Sequence, residues 1–419
     1  MSKSADAGHF FQTTDALATS ERKAAKAKNK HGDPIKLPSK LLAVHVDHGD
    51  NEAVYVAEAA GDVKKITLDV DKGVTSDGYL FFLFQTKEVK RISSTQTASA
   101  PLTCLATSSQ TGCLYAGCWD KNIHVLPLPT SEGQKKEPTT PASSRLTGHT
   151  DFVKCLLTTS LQGQPILISG GADATLIVWD LTTGKPLHKL KGGHVKAVQD
   201  LAIDPLSLEE AEGGEGSEPS FVLFTASSSP EIRRWYISRS TAYELPESLE
   251  SPIRAHDTSV YKLRFDSDGD LWTASADKTA KHLVRSRGWE VDTSLPHPDF
   301  VRDVVVHEEA GLVATACRDE EVRVWDSAGS EGEVVVTYSG HFEEVTGLGL
   351  VDEGRGVVSV SIDGTVRKWS LERKGIAAFL EQEQREKSGD GQVKSEKEKE
   401  GMLTAEEEAE LAELMDDDD

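Results

Sequence analysis

The chain has 419 residues, with 46 Lys or Arg and 69 Asp or Glu, so its formal net charge at pH 7 is −23. A chain this acidic is repelled by phosphate backbones, and direct binding of nucleic acid is therefore disfavoured. No apolar run approaches the roughly 18–20 residues that a membrane-spanning helix needs, and the N-terminus lacks the basic start and apolar core of a secretory signal. We expect an intracellular protein, in the nucleus, the cytoplasm or both, with no membrane partner.

The chain begins with a basic segment, residues 1 to 38, which includes Arg22, Lys23 and Lys26. Residues 19 to 30 have the composition of a basic helix but no apolar face, so nothing in the sequence predicts what the helix would pack against. We expect this extension to be mobile until a partner binds it.

The most regular stretch follows at Leu146 to Asp180, with the sequence LTGHTDFVKCLLTTSLQGQPILISGGADATLIVWD. A Gly-His pair opens it, two short apolar runs follow, Asp173 lies in a tight turn, and Trp179-Asp180 closes a third run. Short apolar runs separated by turn residues predict β-strands. Incomplete copies of the stretch recur before and after it, so the chain is built from repeats.

The repeats agree in their spacing. His297 and His341 each precede an Asp by 22 residues, and Asp173, Asp319 and Asp363 each precede a Trp by six. These marks resemble those of WD-repeat β-propellers, in which a Gly-His pair and a Trp-Asp pair delimit about 40–45 residues per blade. The resemblance implies an all-β fold: a seven-bladed propeller at 39–371, between the mobile extension 1–38 and an acidic, partly helical tail at 372–419. The blades would span roughly 39–92, 99–145, 146–190, 191–250, 251–295, 296–338 and 339–371.

Four blades depart from the pattern. The first lacks both marker pairs, and Leu126 and Leu283 occupy the Trp position of the second and fifth. In the fourth, Ser229 occupies the Asp position, so we expect that blade to be looser or held by another contact. Because propellers of this family close by mixing strands from both chain ends, we expect the segment 35–37 to supply the closing strand.

The resemblance also implies a structural network in each blade. In the family, the marker His, the turn Asp, a strand Ser or Thr and the Trp share buried hydrogen bonds, which specify one packing because a buried carboxylate must be satisfied. We assign this structural role to thirteen residues: His149, Asp173, Trp179, His194, Trp235, His256, Asp277, His297, Asp319, Trp325, His341, Asp363 and Trp369.

The sequence gives no sign of catalysis. Ser169, Ser227 and Ser361 recur at equivalent strand positions, which the network explains better than a catalytic triad does. No His spacing fits a metal site, and the five cysteines are odd in number and not clustered with histidines. We therefore expect reduced thiols, no metal, no cofactor and no enzyme activity.

A propeller of this family binds partners on its top face, near the start of each inner strand and just before the turn Asp. The inner-strand positions five residues after each marker His are Lys154, Gln199, Tyr261, Arg302 and Thr346. From this face the resemblance gives eight candidate residues: Trp119, Phe152, Lys154, Gln199, Tyr261, Phe300, Arg302 and Arg318. Arginine and aromatic side chains are frequent anchors of binding surfaces. Our hypothesis is that this face holds a short peptide or loop in which an acidic or phosphorylated group lies beside an apolar one.

The tail suggests a second binding surface. Residues 381 to 401 are highly charged and of low complexity, and we expect them to be disordered. Thr404 and Glu407 then form a capping box that predicts a short helix at 404–415. This tail either keeps the chain soluble or binds a basic partner.

The function that these features favour is a non-catalytic scaffold or adaptor subunit of a multiprotein complex. One alternative is an acidic escort for a basic client, such as a ribosomal protein or histone. A second is a non-catalytic subunit of an RNA- or chromatin-modifying enzyme. A substrate receptor of a ubiquitin ligase is disfavoured, because the basic residue that often follows the Trp-Asp pair by two positions in that class is Thr182 after one pair and Ala328 after another.

Overall fold

The computed structural model describes residues 14–47, 53–74, 80–91, 97–128, 144–208, 218–246, 251–327 and 332–388. Within these ranges the chain forms seven four-stranded antiparallel sheets. The first strand of each sheet packs against the first strand of the next, and the last sheet packs against the first. The structure is therefore a closed seven-bladed β-propeller, as the sequence predicted.

The first three blades take their strands in chain order. Blade one contains β2 (Leu41–Asp47), β3 (Ala53–Glu58), β4 (Val63–Val74) and β5 (Leu80–Arg91). Blade two contains β6 (Leu102–Ser108), β7 (Cys113–Cys118), β8 (Asn122–Pro127) and β9 (Arg145–Thr147). Blade three contains β10 (Val153–Leu161), β11 (Gln164–Gly171), β12 (Leu176–Asp180) and β13 (Lys185–Leu190).

The next three blades follow the same plan. Blade four contains β14 (Val198–Ile203), β15 (Ser220–Ser227), β16 (Arg233–Ser238) and β17 (Ala242–Glu244). Blade five contains β18 (Val260–Phe265), β19 (Leu271–Ser275), β20 (Thr279–Val284) and β21 (Glu290–Pro296). Blade six contains β22 (Val301–His307), β23 (Leu312–Cys317), β24 (Glu321–Asp326) and β25 (Glu333–Ser339).

Blade seven joins the two ends of the propeller. It contains β26 (Val345–Val351), β27 (Gly356–Ser361) and β28 (Thr365–Ser370), and its fourth strand is β1 (Ile35–Lys36). Ile35 pairs with Val366 and Lys36 with Thr365. A strand from the start of the chain thus pairs with the last strand of the chain and closes the ring of blades.

The core lies between neighbouring blades. One cluster combines Tyr115 and Ile123 of blade two with Leu167 and Trp179 of blade three, and all four side chains are almost fully buried. The second strand of a blade is buried on both faces, as in β7 and β27, because other blades cover both. This explains why those strands read as continuous runs of apolar and small residues.

The N-terminal extension differs from the prediction. A helix, α1, spans Thr14–Lys26, earlier than residues 19 to 30, and it is bound to the propeller instead of being mobile. Arg22 lies 2.7 Å from Glu320, Lys26 lies 2.6 Å from Glu321, and Lys23 lies 2.6 Å from a further glutamate in blade seven. Ion pairs thus join the described side chains of this helix to distant glutamates, which the sequence of the helix does not reveal.

The chain divides into two units, and the second begins at Ser370. Its described part contains α2, Arg373–Lys387, so the disorder predicted at 381 to 401 is wrong for residues 381 to 387. Arg385 lies 3.4 Å from Glu381 and Lys387 lies 2.9 Å from Glu383, and such pairs four residues apart stabilise a helix. The helix predicted at 404–415 lies outside the described residues. In the described part of the chain, every helix is too short or too polar to cross a bilayer.

Candidate functional site

The marker residues fix the turns at one end of the blades. In blade three, His149 Nε2 lies 2.8 Å from Ser169 Oγ, and the indole of Trp179 donates to the same oxygen at 2.9 Å. The other imidazole nitrogen lies 3.0 Å from Asp173. Burial opposes ionisation of Asp173, yet hydrogen bonds from Thr150 and Thr175 and the neighbouring imidazole outweigh it and lower the pKa of Asp173 to about 2. The carboxylate therefore stays charged and holds the turn.

Blade seven repeats this arrangement, and blade five repeats it without the Trp. His341 and Trp369 share Ser359 Oγ at 2.7 and 2.8 Å, and His341 Nδ1 lies 3.0 Å from Asp363. In blade five, His256 lies 2.7 Å from both Thr273 and Asp277. These residues hold strands and turns together, so they are occupied by structural contacts.

Blades four and six keep the Trp contact but not the Asp contact. In blade four, His194 and Trp235 share Thr225 Oγ1, while Arg233 pairs with Glu231 and Glu244 at 2.6 and 2.5 Å. Ser229 offers no carboxylate, and of the two outcomes that the sequence left open, a looser blade or another contact, the pairing of Arg233 is the second.

In blade six the prediction that His297 contacts Asp319 is wrong. Arg323 donates to both oxygens of Asp319, at 2.6 and 3.1 Å, and the Nδ1 atom of His297 faces the carbonyl of Leu295 instead. A bidentate guanidinium binds a carboxylate more strongly than one imidazole nitrogen does. The arginine four residues after the turn Asp has therefore replaced the histidine.

Blade two has a cluster that the sequence analysis missed. Cys118, Asp120 and His124 place one potential metal-ligand atom each within 4.8 Å of one another. His124 lies 2.8 Å from Asp120, whose backbone N–H donates to Cys118 Sγ. Burial raises the pKa of the Cys118 thiol to about 11, so it remains protonated. The three residues hydrogen-bond to one another, and together they hold the turn of blade two as a marker His holds the turn in other blades.

Each blade carries a β-bulge at the start of its first strand. The register skips one residue in every pairing of first and second strands, for example Lys154 between Val153 and Cys155. In each blade, a backbone N–H of the turn after the second strand donates to the carbonyl two residues before the skipped one; Ala172 donates to Phe152 at 2.7 Å in blade three. The skipped residues are Leu42, Thr103, Lys154, Gln199, Tyr261, Arg302 and Thr346.

We call these seven residues the bulge ring and the end of the propeller where they lie the top face. A bulge re-aims the side chain it contains. All seven line one cavity of about 290 Å³, here called the central cavity. The local backbone therefore explains why a single position per blade faces the axis.

The central cavity brings together five of the eight predicted partner-binding residues and leaves three outside its lining. Trp119, Lys154, Gln199, Tyr261 and Arg302 line it. The other three are on the rim, where Phe152 stacks on Trp119 with ring centroids 4.9 Å apart and the Arg318 guanidinium lies 5.2 Å from the Phe300 ring centre.

Two members of the bulge ring escaped the sequence analysis. Leu42 and Thr103 belong to blades one and two, which lack the marker His from which the other positions were counted. A different signal would have found them, because each follows the first apolar residue of its inner strand, as Lys154 follows Val153. Glu344, also on the cavity wall, comes two residues before a ring member.

Most polar members of the bulge ring already have partners. Thr103 donates to the carbonyl of Val153 in the next blade, and Thr346 donates to that of Leu41 across the closure at 3.0 Å. Gln199 donates to Ser228 Oγ at 2.7 Å. These contacts connect each inner strand to its surroundings and leave few groups free for a ligand.

Arg302 is also engaged. Its Nε lies 2.8 Å from Glu344, and its guanidinium carbon lies 4.4 Å from the ring centre of Tyr261. Below the ring, Asp200 and Asp303 accept the backbone N–H groups of Leu263 and Leu348 in the following blades, at 2.9 and 3.0 Å. The carboxylates of the wall thus bind groups of the wall itself.

Two thiols complete the lining. Burial raises the pKa of Cys104 to about 12 and raises that of Cys155 as well. Nucleophilic and metal-binding reactions of cysteine need the thiolate. These thiols therefore contribute volume and packing to the cavity wall.

Comparison with known proteins agrees with this architecture. Residues 144–288 match the family described as the tRNA methyltransferase TRM82 WD40 domain, and residues 289–326 and 332–370 match the WD domain, G-beta repeat. Among solved structures, the WD40 β-propeller domain of Doa1 superimposes with a TM-score of 0.59, covering 82% of this chain and 97% of that one at 19% identity. That likeness concerns the fold.

Relatives extend the comparison over the whole chain. An uncharacterised WD repeat-containing protein of Schizosaccharomyces pombe is 32% identical over 98% of both chains. The nuclear distribution protein nudF of Aspergillus niger is 25% identical, over 59% of this chain and 66% of its own. Pre-mRNA-processing factor 19 of Mus musculus is 26% identical, over 43% of this chain and 32% of its own. With its blades, its marker residues and a relative of matching length, the chain belongs to the WD-repeat family.

Proposed function

We propose that this chain is a non-catalytic scaffold subunit that holds a peptide or loop of a partner protein on its top face. The observation that carries the proposal is the bulge ring, which turns one side chain per blade towards a single central cavity. A rigid ring with one shared mouth suits binding, because its contact residues are already positioned before a partner arrives.

The rim supports the proposal with an exposed aromatic platform. Trp119 is 43% exposed although it stacks on Phe152, whereas Trp179 and Trp369 are buried in blade cores. A tryptophan left in water beside a cavity is a frequent anchor of protein interfaces. Arg318, half exposed on the ring of Phe300, adds a second rigid contact.

The test compares two aromatic substitutions on the tagged full chain. Trp119→Ala removes the rim platform, and Tyr243→Ala serves as the matched control. Tyr243 is also exposed and stacked on another ring, but it lies on the outer strand of blade four. Each variant is expressed at its natural level and purified by its tag, once after crosslinking and once without it. Mass spectrometry then quantifies the proteins that purify with each variant.

We expect Trp119→Ala to lose most of one partner set that Tyr243→Ala keeps, with both variants unfolding at the wild-type denaturant midpoint. Equal recovery of partners by both variants would contradict a top-face scaffold. Basic partners that depend on low salt and not on Trp119 would favour the escort alternative, because exposed charges are screened within about 8–10 Å at physiological salt.

A second candidate rests on the family match to residues 144–288. In it, the chain is the non-catalytic subunit of a tRNA-modifying methyltransferase. The net charge of −23 suggests that the partner, not this chain, would contact the RNA. The test is to purify the tagged chain and assay transfer of a labelled methyl group to total tRNA. Activity that follows the chain in wild type and is lost with Trp119→Ala would support both proposals, and its absence would remove the second.

A further inference from the structure

Lys154 has an unusual position in the bulge ring. Thr103, Gln199, Arg302 and Thr346 each bind a neighbouring group, and Leu42 is apolar. In the described part of the chain, the ammonium of Lys154 has neither a hydrogen bond nor an ion pair, although its side chain lines the cavity. Lys154 is half-buried, so its charge is less fully hydrated than on an open surface and would gain from an anionic partner.

The surroundings of Lys154 add to its positive potential. Burial lowers the pKa of Lys154 from its ordinary value, and the nearby charge of Arg302 lowers it further, while Cys104, Cys155 and Asp151 act in the opposite direction. Two cations thus lie close enough to repel each other inside one cavity. An anion between them would relieve that repulsion and hydrogen-bond to both.

The other charges of the wall indicate which anion fits. Among the charged residues that line the cavity, Lys262 lies 3.3 Å from Asp200 and Arg302 lies 2.8 Å from Glu344. The third carboxylate, Asp303, accepts the backbone N–H of Leu348. Within this lining Lys154 is therefore the cation that no carboxylate pairs with, and one unpaired cation matches a monoanion more closely than a phosphate dianion.

We propose that Lys154, assisted by Arg302, forms a carboxylate site in the central cavity that takes one aspartate or glutamate side chain of the partner segment. This inference rests on the top-face site of the proposed function and names the chemistry of its ligand. It moves the principal anion contact from Arg302 and Arg318, which the sequence suggested, to Lys154. The exposed ring of Trp119, which lines the same cavity, then covers the apolar neighbour of that acid.

The size of the cavity agrees with this assignment. Its volume of about 290 Å³ lies at the lower end of the range of about 300–1,000 Å³ that is typical of small-ligand pockets. That space admits one acidic side chain and its hydration, and it excludes a folded element. The partner therefore inserts a side chain while its backbone lies outside, across the rim.

The test observes Lys154 directly in the full chain. Lysine is labelled with ¹³C at Cε, and the Lys154 signal is assigned as the one lost in Lys154→Met. The probes are acetyl-glutamate methylamide, its uncharged glutamine analogue and inorganic phosphate, each titrated at constant ionic strength. Lys185→Met is the matched control, because Lys185 is an exposed residue on the outer strand of the same blade.

We expect the glutamate probe to shift the Lys154 signal saturably and to raise the apparent pKa of that lysine, because an anion favours the charged ammonium. The glutamine analogue should leave both unchanged. Lys154→Met should weaken binding of the glutamate probe about tenfold or more, as the loss of a charge-assisted hydrogen bond predicts, and Lys185→Met should not.

Equal responses to the glutamate and glutamine probes, or no response to either, would overturn the carboxylate site. Tighter binding of inorganic phosphate than of the glutamate probe would also overturn it, in favour of a phosphate site. The proposed function fails separately: Lys154 can respond to the probe while Trp119→Ala keeps every partner. Conversely, if Trp119→Ala loses its partners but the Lys154 signal does not respond to the glutamate probe, the scaffold function is supported and the carboxylate site is overturned.

Discussion

Arg323 donates to both carboxylate oxygens of Asp319, at 2.6 and 3.1 Å, and this pair holds the turn of blade six that a histidine holds in blades three, five and seven. The two side chains are mostly buried. Burial opposes both charges, but each partner offsets this for the other: the pKa of Asp319 is lowered and that of Arg323 is raised. Blade six therefore depends on an arginine that the family pattern does not predict.

Replacing Arg323 should consequently destabilise the propeller. Arg323→Met leaves Asp319 without its strongest donor, and we expect the free energy of unfolding to fall by about 2–3 kcal/mol. Lys281→Met is the matched control, since Lys281 holds the same position in blade five but lies 3.9 Å from Asp277, which His256 already binds. Urea unfolding followed by tryptophan fluorescence measures both. Equal losses would show that Arg323 has no special role.

Buried histidines should make the propeller sensitive to acid. Burial lowers the pKa of His194 and of His297 to about 4 each, and Nδ1 of His194 is buried without a hydrogen bond among the described residues. Their unfolded value is about 6.5, so the unfolded chain binds these protons more tightly. Stability is therefore complete above pH 6.5 and falls as the pH drops from about 6.5 to 4, by on the order of 3 kcal/mol for each histidine.

The check is the free energy of unfolding at several pH values between 4 and 7. The slope of the unfolding free energy against pH gives the number of protons taken up on unfolding. In that range His194→Gln should lower this number by about one, and the double variant with His297→Gln should lower it by about two. A slope that stays the same in both variants would assign the acid sensitivity to other groups.

Much of the fold follows from the sequence because each blade fixes its own turn through residues close together along the chain. The marker histidines also located Lys154, Gln199, Tyr261, Arg302 and Thr346, since the bulge lies at a fixed distance from each marker. What the sequence could not give is which charges pair. Arg302 looked free for a ligand until the fold brought Glu344 to 2.8 Å, and α1 looked unpartnered until folding placed it beside glutamates some 300 residues away. Ion pairs between residues this far apart along the chain leave no local sequence pattern from which they could be predicted.

The contact of α1 with the propeller centres on Glu320. This residue occupies a left-handed turn, with φ of 79°, where blade seven has Gly364. An L-residue is disfavoured there by about 1–2 kcal/mol, yet Glu320 binds both Arg22 and Lys26 at 2.7 and 3.0 Å. The strained turn thus presents the carboxylate that anchors the helix.

Glycine substitutions separate these two effects. Glu320→Gly relieves the strain but frees α1, so amide hydrogens of α1 should exchange faster by mass spectrometry. Glu353→Gly is the control, because Glu353 also has a positive φ, of 54°, and is 92% exposed. It should raise stability by up to about 1 kcal/mol and leave α1 exchange unchanged. In wild type, 1 M salt should mimic Glu320→Gly, since it screens ion pairs over about 3 Å. Unchanged α1 exchange in Glu320→Gly would contradict the anchor.

Asp303 connects the stability of the ring to the charge of the central cavity. Its carboxylate accepts the backbone N–H of Leu348 from the next blade at 3.0 Å, and it lines the cavity that contains Lys154. Asp303→Ala leaves that buried N–H without an acceptor, so we expect a loss of about 1–3 kcal/mol in the free energy of unfolding. Asp303→Asn keeps an acceptor oxygen and removes one negative charge, so it should cost less stability than Asp303→Ala.

The same asparagine variant should strengthen the proposed carboxylate site. With one acid fewer in the wall, the cavity becomes more positive, and the glutamate probe should bind Asp303→Asn several-fold more tightly than wild type at low salt. The gain should shrink as salt rises. NMR titration of Lys154 in both proteins measures this change. Unchanged or weaker binding in a folded Asp303→Asn protein would mean that the charge of the cavity wall does not govern the ligand, because the substitution alters that charge while retaining an oxygen for Leu348.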